Sequence, residues 1–269
     1  MKSSQFSKTK LMAGCVALAL SSVSHAIVID LFSVNQGTYS DATATVGDTG
    51  VVPLSGVGGS VTNLGGTIVG DNRDMFVSLL DDGGVGGEAS IKVAGGAMSF
   101  SVDSLARGRG QIQWDGAEAT SAIDHTGLGG VDFGVGSFKL DIKFSDAGFN
   151  FDVTIYTDST HFTTVSLLSN QHLTPTTTFI PLSAFNNPGL CGFSDITIGV
   201  LGITCGAGGV ADTSNVGALV VDLDRFGGST AIDLTLDAVN TVPEPGSVAL
   251  LGIGLMGFYG ATRRFKKLA

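Results

Sequence analysis

The chain has 269 residues, with 24 acidic against 14 basic side chains, a formal net charge of −10, 40 glycines and 16 phenylalanines. So acidic a surface repels nucleic acid and anionic lipid and favours cations or neutral partners such as sugars. Intrinsic disorder is excluded by regular apolar alternation and by enough phenylalanine to fill a core.

At the N-terminus, Lys2, Lys8 and Lys10 precede an apolar stretch over residues 11–20, and Ser24-His25-Ala26 supplies small residues for cleavage. This is the pattern of a secretory signal peptide, a helix read by the general secretion machinery and removed after Ala26, so that the mature chain begins at Ile27. Met12-Ala13-Gly14-Cys15 superficially resembles a lipoprotein cleavage box, but Cys15 has most of the apolar stretch after it, so lipidation is rejected. Between the termini, the mature region holds seven basic and 23 acidic residues.

Downstream the dominant period is two. Strands are predicted over residues 28–34, 75–80, 90–94, 98–102, 111–114, 162–168, 179–182 and 196–200. The clearest alternations are Phe138, Leu140, Ile142 and Phe144 against Lys139, Asp141 and Lys143, followed by Phe151, Val153 and Ile155 against Asp152 and Thr154. Leu219, Val221 and Leu223 alternate with Asp222 and Asp224, as do Ile232, Leu234 and Leu236 with Asp233, Thr235 and Asp237. Half-buried antiparallel strands show this pattern. Residues 36–66 are weakly patterned and read as a loop insert or an irregular sheet edge. The expectation is an all-β chain whose residues 27–241 form a single antiparallel β-sandwich, since no linker or composition shift divides them.

Few residues carry chemistry. Asp71-Asn72-Arg73-Asp74 and Asp81-Asp82 offer hard oxygen ligands in turn-like contexts, which makes Asp71 and Asp74 candidate calcium ligands and a structural calcium ion the one cofactor considered. Solvated turn carboxylates are the favoured reading of any single cluster. Trp114, beside Asp115-Gly116, either offers a stacking face to a sugar or lies in the core, in phase with Ile112. His125, His161 and His172 show no H-E-x-x-H spacing, no G-x-S-x-G elbow is present, and Asp124-His125-Thr126 reads as a turn; the chain is not expected to be an enzyme. Cys191 and Cys205 would meet in an oxidising compartment and are predicted to form a disulfide, with buried free thiols the alternative.

The C-terminal segment has a distinct design. Val242-Pro243-Glu244-Pro245 is held extended by its prolines, residues 246–261 form an uncharged apolar run at the short end of what spans a bilayer, and Arg263, Arg264, Lys266 and Lys267 follow as a basic stop. Motif, order and spacing resemble the PEP-CTERM sorting signal of bacterial exported proteins. That resemblance covers residues 242–269. It implies transient insertion of a helix in the inner membrane, recognition by an exosortase, cutting near Pro-Glu-Pro and loss of the helix, much as a GPI signal is read and removed. A plain membrane anchor is the alternative. The stretches 69–74, 113–116 and 127–132 look similar to a β-rich cargo region of uncharacterised PEP-CTERM proteins, and the later half resembles jelly-roll carbohydrate-binding modules in strand rhythm only. The resulting expectation is a bacterial cell-surface or exopolysaccharide-matrix protein, structural in biofilm, floc or envelope, with a carbohydrate-binding module as the second reading.

Overall fold

A computed structural model describes residues 26–44, 57–62, 67–116 and 121–243. The predicted signal and membrane helices lie outside those residues. Two seven-stranded sheets face each other, their strands numbered here in chain order. The first runs Thr176–Pro181 (β11), Ser137–Ser145 (β8), Asp233–Val242 (β14), Ala97–Val102 (β6), Ala89–Ala94 (β5) and Gln36–Asp41 (β2), with Val28–Asp30 (β1) also paired to β14. The second runs Val200–Cys205 (β12), Phe162–Ser169 (β10), Phe149–Tyr156 (β9), Ala218–Leu223 (β13), Arg107–Trp114 (β7), Asn72–Asp81 (β4) and Val57–Thr62 (β3). All pairings between these strands are antiparallel.

Side-chain alternation turns one face of each sheet inward. Phe138, Leu140 and Ile142 of β8 meet Phe149, Phe151, Val153 and Ile155 of β9 in one core. On the solvent side of the first sheet, Lys139 pairs with Asp141 and Lys143 with Asp237, each at 2.6 Å. β14 keeps Leu234 and Leu236 inward, then shifts register between Leu236 and Ala238. That bulge switches the inward phase, so that Val239 and Thr241 become the buried residues of its second half. β6 pairs with the first half of β14 and β1 with the second. Tight facing of the sheets depends on Gly110 of β7: a Cβ there would lie 3.0 and 3.2 Å from ring carbons of Phe100.

Two segments differ from expectation. The weakly patterned residues 36–66 contribute β2 and β3, both formed by pairing with well-patterned neighbours, β5 and β4. The strand expected at 196–200 is instead a 3-10 turn, Ile196–Ile198, with the strand following it. Asp195 caps the turn by accepting from the Thr197 amide and hydroxyl at 3.0 and 2.6 Å, and Gly199 reverses the chain at φ +79°. Ile196 and Ile198 are therefore left 69% and 68% exposed.

Candidate functional site

The sorting motif begins where β14 ends. Val242 is the last residue of the strand, in register with Ser137 of β8, and Pro243 follows directly. Thr241, one residue earlier, is buried and held on both flanks: it is in register with Phe138 on β8, while on the other side its amide donates to the Ile27 carbonyl at 2.8 Å and its hydroxyl accepts from the Ile27 amide at 3.1 Å. Ile27 is the predicted first mature residue, and Ala26 before it is exposed. The two expected processing junctions thus leave the sandwich side by side, from a position with no spacer between strand and motif. Sequence reading missed this adjacency. Its only sequence signal is the phase change from Leu234 and Leu236 to Val239 and Thr241. Glu244, Pro245, Arg263, Arg264, Lys266 and Lys267 lie outside the described residues.

The predicted disulfide is present. Cys191 follows the 3-10 turn Pro188–Leu190 and is bonded to Cys205, the last residue of β12, with Cα atoms 5.6 Å apart.

Trp114 offers no stacking face. Its side chain is 0% exposed, and its indole N–H donates to Asp30 Oδ2 at 3.1 Å. Asp30 also binds Arg73 Nη1 at 2.8 Å and accepts from the Phe32 amide at 2.7 Å. Arg73 in turn donates to Gln36 Oε1 at 2.9 Å and to the Val34 carbonyl at 2.7 Å, with its guanidinium over the Phe32 ring. A buried ion pair is tolerated when its remaining hydrogen-bonding positions are filled in this way. Trp114 belongs to that structural cluster, which fastens β1 to β4 and β7.

The two candidate calcium ligands occupy different environments. Asp71 is exposed in the turn Val69–Asp71, whereas Asp74 is buried in β4, opposite Gln113 of β7. Among the described residues, no group of three or more His, Cys, Asp or Glu side chains is gathered to hold a metal. Asp81 and Asp82 accept from the amides of Gly83 and Gly84, each at 2.9 Å, so these carboxylates close turns.

The face of the second sheet away from the core is polar yet buried. Arg109 and Gln111 of β7 both donate to Asp222 of β13, at 2.6 and 2.8 Å, and Gln113 donates to Gln111 at 2.7 Å. Asp152 of β9 is the register partner of Asp222 and binds Arg225 at 2.8 Å. Burial pushes the Asp222 carboxyl up, Arg109 pulls it down, and the upward effect prevails. Burial likewise raises the Tyr156 hydroxyl to about 12. Two adjacent carboxylates are a glycosidase feature, but here each is matched by an arginine and is about 1% exposed. The histidines stand apart from them. His125 meets the Tyr156 ring edge-on, His161 binds Asp158 at 2.9 Å in an exposed turn, and His172 bonds Ser169.

No curated protein matches the chain closely enough to count as a relative. Six chains of solved structures match, and three of them show how low the similarity is. The chain aligns with the structure of PfGH50B at 8% identity and TM-score 0.38, over 58% of this chain and 22% of that one. An exo-beta-agarase aligns at 12% and 0.36, over 63% and 23%. The solution structure of CtCBM11 aligns at 11% and 0.36, over 84% and 99%. The chain therefore spans less than a quarter of the length of the first two. A family match falls at the end of β14 and beyond it: residues 241–264 match the PEP-CTERM protein-sorting motif, a signal that implies exosortase-dependent sorting, and the described residues ahead of it form a β-sandwich.

Proposed function

We propose that the mature region, residues 27–241, is a non-enzymatic structural component of the bacterial surface or exopolysaccharide matrix, delivered there by an exosortase that removes residues beyond the Pro-Glu-Pro motif. The observation that carries this reading is the sorting motif at 241–264, placed directly after a fully paired strand of a disulfide-bonded sandwich. A disulfide suits a cargo that folds outside the cytoplasm. The acidic mature region, with 23 carboxylates, suits hydrated association with cations and neutral polymers. The carbohydrate-binding reading loses its anchor with Trp114 in the core.

Intact mass combined with fractionation tests the proposal. A species beginning at Ile27 and ending close to Pro245, recovered outside the cell, is the expected result. Retention of Arg263 and Lys267 in the inner membrane would leave a plain anchor and remove the proposal.

A further inference from the structure

Three strands of the second sheet bring oxygen-bearing side chains together on the face away from the core. Ser60 of β3 is in register with Asp74 of β4, and Asp74 with Gln113 of β7, so the three form one cross-strand row. Their chain neighbours fix the side of the sheet. Met75, Ile112 and Trp114 are in the core and Val61 packs against it, which turns Ser60, Asp74 and Gln113 the other way. Neighbours in such a row have Cβ atoms about 5 Å apart. Asp74 and Gln113 are buried, at 1% and 0% exposure.

Hydrogen bonding fixes the Gln113 amide in one orientation. Its nitrogen donates to the Ser121 carbonyl at 3.3 Å, which can only accept, and to Gln111 Oε1 at 2.7 Å. Gln111 is oriented in the same way, its own nitrogen donating to Asp222 at 2.8 Å. The relay that begins at the Asp222 carboxylate therefore ends on Gln113 Oε1, a buried acceptor that receives no hydrogen bond. The Ser60 hydroxyl oxygen is likewise buried without one. An orphaned acceptor at full burial is costly, and a row of oxygens is satisfied by a positive partner. Calcium fits the donor set. It takes six to eight carboxylate, amide and other hard oxygens at about 2.3–2.6 Å in adaptable geometry, which sets opposed ligands about one strand spacing apart.

We propose that Asp74, Gln113 Oε1 and Ser60 Oγ hold a structural calcium ion against the outer face of β3, β4 and β7. The ion ties the edge strand β3 to the sheet by more than its ladder with β4. Asp71, exposed in the preceding turn, is not a ligand. With one carboxylate among these three donors, the site belongs to the weak class of extracellular calcium modules, with Kd about 10⁻⁴–10⁻³ M.

The test is a thermal melt of the full chain in non-ionic detergent, in calcium chloride, in chelator, and in magnesium chloride as the control for the acidic surface. At about 10 mM, calcium should raise the melting temperature by about 3 °C or more over magnesium. Asp74→Asn and Gln113→Met, which keep the side-chain volume, should each abolish that difference. Ser60→Asp discriminates by sign: it should melt above the natural chain in calcium and below it in chelator, because adjacent carboxylates repel without an ion between them. Should Asp74→Asn not fold, the other two variants carry the test. Equal melts in calcium and magnesium would overturn the proposal and leave an internal water on Gln113 Oε1. A calcium shift that Gln113→Met leaves intact would overturn it as well.

Discussion

Asp224 follows β13 in a left-handed backbone conformation, φ +48°, and its buried carboxylate accepts from the amides of Gly228 at 3.2 Å and Ser229 at 3.1 Å. Burial outweighs these bonds and pushes its pKa up to about 6. Since the folded value is above the unfolded one, the folded state holds the extra proton. The associated stability is complete below about pH 4 and lost as pH rises through 6, amounting to about 3 kcal/mol. Asp224→Asn should therefore flatten the slope of melting temperature against pH between 4 and 6, without abolishing it, because the Asp222 carboxyl is raised in the same direction. An unchanged slope would show that Asp224 ionises freely. In the sequence, Asp222 and Asp224 read as the solvated half of an alternation with Leu219, Val221 and Leu223. The alternation was legible and gave the strand its correct inward face. Burial of the other face was not, because it depends on Arg109 and Gln111 arriving from a strand more than a hundred residues away.

At the scale of elements, the strongest sequence signals are the most regular strands, β8 and β9, whose neighbours on both sides fix their pleat. The edges were read less well. β3 has glycines at 58 and 59 and little of its own pattern, and it is a strand because β4 supplies the partner. β12 is the opposite edge strand of the same sheet; beyond β10, its outer side is bonded only by short backbone links to Gly192, Phe193 and Asp195, and the disulfide to Cys191 holds its end. Edge strands have one full ladder and open first, so a covalent tie there limits local opening. Replacing both Cys191 and Cys205 by serine should cost about 2–4 kcal/mol of unfolding free energy. Denaturant melts check this: reductant should shift the natural chain to the variant's midpoint and leave the variant where it is. Equal midpoints before reduction would show that the backbone hydrogen bonds secure the edge without the disulfide.

The topology of the whole molecule ties folding to the sorting motif. β14 lies between β8 and β6, and its second half also carries β1, so the last strand of the cargo joins the two halves of the first sheet. Without it, β11-β8 and β6-β5-β2 are separate ribbons, with Leu140, Ile142, Met98 and Phe100 uncovered where Leu234, Leu236 and Val239 would pack. The closing contact, Ile27 to Thr241, spans 214 residues and makes the loop-closure requirement about as long as the cargo permits. On the route proposed above, because Pro243 follows β14 without a spacer, the strand would become available outside the membrane only when the sorting segment had reached it. On that route the sandwich would close at the step at which the tail stops export, and a cut would release a finished domain. An exported chain ending at residue 231 should accordingly bind a hydrophobic dye and be digested by added protease, while one ending at Pro245 should do neither. A compact, protease-resistant product from the shorter chain would show that the two halves of the first sheet hold together without β14.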